Sequence, residues 1–334
     1  MQLRALRIYQ ANNGSAGHAV KATLETMPVE ALTPGEVLIR VQYSSINYKD
    51  ALAATGAGKI LRRYPLNGGV DLAGVVAEST DPVYSPGQSV LVTGCGLSET
   101  LDGGYAEYAR VPSAAVIPIP AGLDALAVMT LGTAGFTAAL AIHRMEQNGL
   151  LPQQGEVAVT GATGGVGSVV IDMLSVRGYR VCAITGKEAE RDYLQKLGAQ
   201  QIVLRSELQP GQGALESTRF AGAIDNLGGE WLSWLLRSTQ LMGSVASIGM
   251  VAGSQLQMSV MPFILRGVNL LGITSSNTPR GLREQIWQRI ATDLKPTHLD
   301  LIRTRIVELA ELPTIFADYL QGQTRGRTVV RIQS

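Results

Sequence analysis

Val159-Thr160-Gly161-Ala162-Thr163-Gly164-Gly165-Val166-Gly167 is the stretch that decides the fold of this chain. It closes an apolar, β-branched run over residues 156–160 and opens a second apolar run, residues 165–177, whose composition predicts a helix. A further strand-like run follows at residues 180–185, so the order is strand, glycine turn, helix, strand: a βαβ unit. Gly161 permits the tight turn, Gly164 lets the backbone approach a pyrophosphate, and Gly167 lets the helix pack on the sheet. The helix start, with Thr163, Gly165 and Val166 around it, offers N–H groups to an anion. Three glycines alone are weak evidence, but with these flanking elements they form a dinucleotide-binding fingerprint.

The end of the second strand selects between nicotinamide cofactors. A carboxylate there would accept hydrogen bonds from the ribose 2′-hydroxyl of NAD and would repel the 2′-phosphate of NADP. This chain has Thr185-Gly186-Lys187 instead. Lys187 can neutralise a phosphate, and Thr185 and the Gly186 N–H can donate to it, so NADPH is the expected cofactor.

Working outward, runs at residues 201–204, 221–226, 244–249 and 268–273 supply further strands for a doubly wound parallel sheet. Before the fingerprint the grammar differs. Short extended runs at residues 3–9, 36–43, 70–77 and 89–93 are separated by Pro34-Gly35, Asn67-Gly68-Gly69 and Pro86-Gly87, which reads as a small β-rich domain. Residues 328–332 return to strand and are expected to rejoin that first domain.

With 334 residues and 46% hydrophobic content, the chain can bury two cores. Its 28 basic and 27 acidic side chains nearly cancel, which argues against nucleic acid or anionic lipid as partner and in favour of a small molecule. Two charge-free stretches, residues 125–142 and 238–265, are expected to be buried helix and sheet rather than membrane spans. Two cysteines, Cys95 and Cys182, are too few for a disulfide framework or a four-thiolate zinc site. No signal-peptide core stands in the first ten residues, so a cytoplasmic protein is expected. The three histidines, His18, His143 and His298, lack ligand spacing and are expected at the surface or at caps.

Other segments now carry a resemblance. Ser45-Ile46-Asn47-Tyr48-Lys49-Asp50-Ala51-Leu52, Gly69-Val70-Asp71-Leu72-Ala73-Gly74, Gly132-Thr133-Ala134-Gly135-Phe136-Thr137-Ala138, Tyr193-Leu194-Gln195-Lys196-Leu197-Gly198-Ala199, Met261-Pro262-Phe263-Ile264-Leu265-Arg266 and Gly326-Arg327-Thr328 run in order along the chain. Together they resemble the acryloyl-CoA reductase and quinone oxidoreductase group of zinc-independent medium-chain dehydrogenases/reductases. The resemblance covers essentially the whole chain. It implies a GroES-like substrate domain from residues 1–124 and 275–334, with a Rossmann NADP-binding domain, residues 125–274, between them. It also implies NADP contacts at Tyr48, at the loop from Thr163 to Val166, at Thr185, Gly186 and Lys187, and at Arg205, Met250, Ile264 and Ser275. Arg205 suits that role chemically, since it follows a strand and can stack on adenine or assist the 2′-phosphate. Met250 and Ile264 could equally be plain core residues.

Zinc-dependent relatives place a cysteine where Asn47 or Tyr48 stands and a Gly-His-Glu where Gly69-Val70-Asp71 stands. Without those ligands no metal is expected, and the chemistry implied is hydride addition to a polarised double bond. Tyr48 is the candidate proton donor, because a phenol stays protonated near neutral pH; packing against the nicotinamide ring is the other reading. Asp71 could orient Tyr48 or Lys49, or merely close a turn. Asn47, Lys59, Arg62 and Arg63 are the candidate substrate contacts, the last three as cations for coenzyme A phosphates or simply as a solvated cluster. Three functions stay open at this point: reduction of acryloyl-CoA or a similar enoyl thioester, reduction of quinones or small enones, and NADPH binding without catalysis. The resemblance also implies a homodimer joined near residues 244–249 and 268–273.

Overall fold

The computed structural model describes residues 1–10 and 20–333, in two compact units. His18 lies outside the described residues. Met1–Thr133, Ser276–Glu284 and Leu299–Ser334 make the first unit; Ala134–Ser275 and Gln285–His298 make the second.

The second unit is built on six strands in the order Gln201–Leu204, Arg180–Thr185, Glu156–Thr160, Phe220–Asp225, Thr239–Ser247, Asn269–Gly272, all parallel. Counted in sequence that is 3-2-1-4-5-6, the doubly wound order, and it reverses direction between Glu156–Thr160 and Phe220–Asp225. The central strands read as continuous apolar runs because helices cover both faces of a parallel sheet. Val157, Ala158, Val159, Val181, Ala183 and Ile224 are all buried. Gln285–His298 belongs here for physical reasons. The fully buried Trp287 stacks on Phe136 with ring centroids 6.2 Å apart, Arg289 meets Glu146 at 2.7 Å, and Asp172 accepts the His298 N–H at 2.9 Å.

The first unit holds a seven-stranded sheet running Arg303–Glu308, Arg327–Arg331, Val37–Ser45, Asp71–Ser79, Ser89–Thr93, Ile117–Pro118, with Tyr108–Val111 also pairing with Val37–Ser45. A smaller sheet joins Val20–Pro28, Gln2–Gln10 and Leu66–Asn67. The C-terminal strand Arg327–Arg331 does pair with Val37–Ser45, antiparallel, as the sequence suggests. Ile39, Val41, Leu72, Val92, Val330 and Phe316 are among the residues that close the core of this unit.

Two sequence expectations need correction, and a third is sharpened. The apolar stretch from residue 125 becomes the helix Ala125–Gln147, 23 residues long, which by length and composition could cross a membrane. Burial of 78% of its apolar window within the protein argues against that and agrees with the buried helix expected from the sequence. His143 is buried rather than superficial, with its Nδ1 3.2 Å from Nη1 of Arg289, and burial lowers its pKa. At the sheet edge, Asn269–Gly272 is terminal, but Thr239–Ser247 has a neighbour on either side, so only the former leaves an open edge.

Candidate active site

The nucleotide cradle grows from the end of Glu156–Thr160. Gly161 turns the chain with φ of 58°, a conformation that L side chains adopt rarely. The Gly164 N–H donates to the Gly161 carbonyl at 3.0 Å, and the helix Gly165–Val176 starts at once. A Cβ on Gly167 would lie 2.4 Å from the Gly161 oxygen and 2.8 Å from Ala162 Cα, so helix and turn approach too closely for any other residue. The first turn leaves its N–H groups without intrahelical acceptors, at the point where the strand order reverses.

Two residues that sequence reasoning passed over tie the neighbouring strand end to Thr160, just before this turn. Asp225, fully buried at the end of the neighbouring strand, accepts the Thr160 hydroxyl at 2.6 Å and the N–H groups of Gly228 at 2.7 Å and Leu227 at 3.2 Å. Burial pushes its carboxyl up, against the pull of those donors. Asn226 donates its side-chain amide to the Thr160 carbonyl at 2.7 Å and its N–H to the Thr160 hydroxyl at 2.9 Å. The polar pair at the end of an otherwise apolar run, Asp225-Asn226, was the available signal.

Thr185, Gly186, Lys187 and Arg205 come together at the ends of two adjacent strands. Lys187 donates its N–H to the Thr185 hydroxyl at 3.0 Å. The Arg205 guanidinium lies against Gly186, whose absent Cβ would sit 2.6 Å from Nη2. The arrangement presents two cations, a hydroxyl and peptide donors, and no carboxylate stands among those four residues. Met250 and Ile264 are 70% and 74% exposed, which removes the core-packing reading for both. Ser275 is half-buried, beyond the end of Asn269–Gly272.

In the first unit Tyr48 opens the helix Tyr48–Thr55 and is 41% exposed. Asn47 precedes it, its N–H held by Asp50 Oδ2 at 2.8 Å, while Asp50 Oδ1 accepts from the Val70 N–H at 2.9 Å. Asp50 is fully buried, and that burial, followed by the charge of Asp71, pushes its carboxyl up to about 7.

The hydrogen bonds of Asp71 reach neither Tyr48 nor Lys49. Its carboxylate accepts from Ser45 Oγ at 2.7 Å, Asn47 Nδ2 at 2.8 Å, the Thr133 N–H at 2.9 Å and Thr133 Oγ1 at 2.5 Å. Arg327 completes the knot, donating to Ser45 Oγ at 2.8 Å, Asn47 Oδ1 at 3.1 Å and the carbonyls of Ile46 and Thr130 at 3.0 Å. Gly132, with φ of 52°, breaks the helix Ala125–Gln147 beside this knot, and a Cβ there would strike Asp71 Oδ2 at 2.6 Å. A carboxylate so fully engaged positions Asn47 and the start of the Tyr48 helix; it is not free to shuttle protons. Lys49 pairs instead with Glu99.

The same contacts test the fit of a catalytic zinc. Asn47 and Asp71 stand where ligands would be needed, but Asn47 turns its NH2 group to Asp71, and the four donors occupy the carboxylate. Among the described residues no group of three or more His, Cys, Asp and Glu side chains could hold a metal ion. Zinc does not fit this site.

Lys59, Arg62 and Arg63 lie on the loop after the Tyr48 helix, anchored by the buried Leu61. All three are exposed, and none takes an ion-pair partner among the described residues. The structure thus gathers most of the sequence-predicted residues into three groups: the glycine turn, the Thr185–Arg205 cluster, and the Tyr48 region with the loop of cations that follows it; Met250, Ile264 and Ser275 fall in none of these.

A doubly wound unit carrying the glycine turn and a β-rich unit carrying the exposed Tyr48 at a helix start define a nicotinamide-dependent oxidoreductase of the medium-chain type. Residues 33–121 match the family described as alcohol dehydrogenase GroES-like domain, and residues 165–292 match the one described as zinc-binding dehydrogenase. The chain is 46% identical to "Putative quinone oxidoreductase YhfP" of Bacillus subtilis over 94% of its own length and 95% of the relative's. It is 43% identical to "Acrylyl-CoA reductase AcuI" of Ruegeria pomeroyi over the same shares. The yhdH oxidoreductase from Salmonella enterica, solved in complex with NADP, superposes with a TM-score of 0.94 at 41% identity, with both chains fully covered. Bacillus subtilis yhfP, solved with NAD bound, gives 0.95 at 44%, covering 99% of this chain and all of the other. The chain belongs to the acryloyl-CoA reductase and quinone oxidoreductase group of the medium-chain dehydrogenase/reductase superfamily, and it is an oxidoreductase enzyme that uses a nicotinamide cofactor.

Proposed function

We propose that this enzyme uses NADPH to reduce the α,β double bond of acryloyl-CoA or a similar short enoyl thioester. The observation that carries the cofactor choice is the Arg205 guanidinium packed on Gly186, next in the chain to Lys187, a pairing of cations suited to a 2′-phosphate. Gly161, Thr163, Gly164, Gly165, Val166 and Gly167 would hold the pyrophosphate, with Tyr48, Met250, Ile264 and Ser275 toward the nicotinamide half. When bound, the nicotinamide supplies a hydride to the β-carbon of the substrate. The chain's own part is to align the thioester and to assist protonation of the α-carbon. Tyr48, exposed and held at a helix start by the Asn47–Asp71–Arg327 knot, is the donor we assign to the developing enolate. Lys59, Arg62 and Arg63 supply unpaired cations for the coenzyme A phosphates, and the name of the Ruegeria relative supports that substrate.

The Bacillus relative's name favours a second reading, reduction of quinones or small enones by the same hydride chemistry. NADPH consumption with acryloyl-CoA, a benzoquinone and a simple enone, for wild type and Tyr48→Phe, separates the two. The proposal expects the highest kcat/KM with acryloyl-CoA and a fall in kcat for Tyr48→Phe. A higher kcat/KM for the quinone or the enone overturns it.

We also propose a second copy of this chain as partner. The Asn269–Gly272 edge is open, and Leu241, Met242, Val260 and Leu265 of the same unit are exposed apolar side chains that a partner could cover. Sedimentation of a monomer at micromolar concentration would contradict this.

A further inference from the structure

Arg283 is 1% exposed and has no carboxylate partner among the described residues. Its Nη2 donates to the carbonyls of Thr93 at 3.3 Å and Ala115 at 3.2 Å, its Nη1 meets the sulfur of Cys95, and its Nε has no partner. A guanidinium keeps its proton at any physiological pH, so this is a lone buried cation, which proteins ordinarily pair. Of the other groups around it, Arg280 repels it and Tyr84, whose hydroxyl oxygen accepts from Arg280 Nη2 at 2.8 Å, favours its charge without a carboxylate's full negative charge. Cys95 is the single neighbour of Arg283 that can readily acquire a negative charge.

The loop around Cys95 is built to hold the thiol there. Cys95 has φ of 51° between Gly94 and Gly96, both also in the left-handed region, and its N–H donates to the Ser276 carbonyl at 3.2 Å. The hydroxyls of Thr93 and Ser98, both buried, have no hydrogen-bond partner. Cys95 itself is only partly buried, whereas Cys182 is 1% exposed. Burial pushes the Cys95 thiol up, against the pull of Arg283. A cysteine in a partly exposed loop, its sulfur against a cation that lacks a counter-ion, is the setting in which an oxidised, anionic sulfur is stabilised.

We propose that Cys95 is an oxidative modification site, oxidised by a hydroperoxide to a sulfinate that serves as counter-ion to Arg283. In the first step an S–O bond forms as the O–O bond of hydrogen peroxide breaks. The sulfur gives up two electrons, and the thiol proton leaves with the departing hydroxide as water. A second peroxide adds the second oxygen in the same way. The sulfinate is anionic at neutral pH, so the lone cation, whose Nη1 already meets this sulfur, becomes one half of an ion pair.

The test treats the folded full-length chain with hydrogen peroxide, followed by peptide mass spectrometry and thermal unfolding. Cys95 is expected to gain two oxygens at least about tenfold faster than the enclosed Cys182, and the oxidised chain is expected to unfold several degrees higher. Cys95→Asp, which places a carboxylate beside Arg283 without any oxidant, should likewise unfold higher than Cys95→Asn. This comparison does not depend on an Arg283 variant that could fail to fold. Equal oxidation of the two cysteines, a lower Tm after oxidation, or Cys95→Asp melting at or below Cys95→Asn would each overturn the proposal.

Discussion

Replacing Gly164 and Gly167 by alanine, one at a time, separates cofactor contact from fold. A Cβ on Gly164 would meet a single atom, the Gly161 oxygen at 3.2 Å, and the φ of −76° suits alanine. Its cost at the helix start and its gain from a stiffer unfolded chain are similar, so fold stability should change by no more than about 0.5 kcal/mol. The new methyl nevertheless occupies the side from which a pyrophosphate must approach the backbone. Loss of one charge-assisted contact there costs about 2 kcal/mol, roughly a 30-fold rise in the Kd for NADPH. Gly167 makes the opposite demand. Its Cβ would collide with backbone at 2.4 and 2.8 Å, atoms that cannot rotate aside, so the helix must shift at an overpacking cost of about 1–3 kcal/mol. Tm should drop by several degrees. Titration of NADPH fluorescence and thermal unfolding, run on both variants, read the two effects separately. Gly164→Ala with wild-type affinity and wild-type Tm would refute the reasoning, because no phosphate could then rest on this turn.

Lys187→Ala should weaken NADPH binding by about 1–3 kcal/mol and leave NADH nearly unchanged; equal loss for both cofactors would show that Lys187 does not read the 2′-phosphate. Neutralising Lys59, Arg62 and Arg63 together should raise KM for acryloyl-CoA in a salt-sensitive way with kcat kept, since exposed charges are screened over roughly 10 Å at 0.1 M salt. A small enone should be indifferent, and an equal effect on both substrates would remove the coenzyme A reading of this loop. Asp50, raised to about 7 in the folded chain, retains a proton there that the unfolded chain releases near its ordinary range. Its contribution to stability is therefore full below about pH 4 and is lost as pH rises to about 7. The wild type is expected to lose Tm between about pH 4 and 7 on this account, and Asp50→Asn, which cannot ionise, should flatten that fall; an unchanged slope would contradict the assignment.

The fold was legible where local sequence and tertiary role agree. Glu156–Thr160, Arg180–Thr185 and Ser89–Thr93 are apolar runs between turn residues, and they form strands over those same residues. Val20–Pro28 and Arg303–Glu308 escaped notice because they are edge strands, exposed at many positions and rich in Lys, Arg, Thr and Glu. What makes them strands is the neighbour they pair with, Gln2–Gln10 in one case and Arg327–Arg331 in the other. The site divides in the same way. A glycine turn writes its function into nine consecutive residues, whereas the knot on Asp71 draws on Ser45, Asn47, Thr133 and Arg327, which converge only in the folded unit. Arg327 stood in the Gly326-Arg327-Thr328 segment, but nothing local shows that it reaches Ile46 and Thr130.

Transfer of label from cofactor to product tests the central claim most directly. Acryloyl-CoA is reduced with NADPH carrying deuterium at the transferable C4 position, in ordinary water, and the propanoyl product is read by NMR. Hydride addition followed by solvent or tyrosine protonation predicts one deuterium at the β-carbon and none at the α-carbon. A product without deuterium at the β-carbon, or no propanoyl product at all while NADPH is bound, would contradict the account.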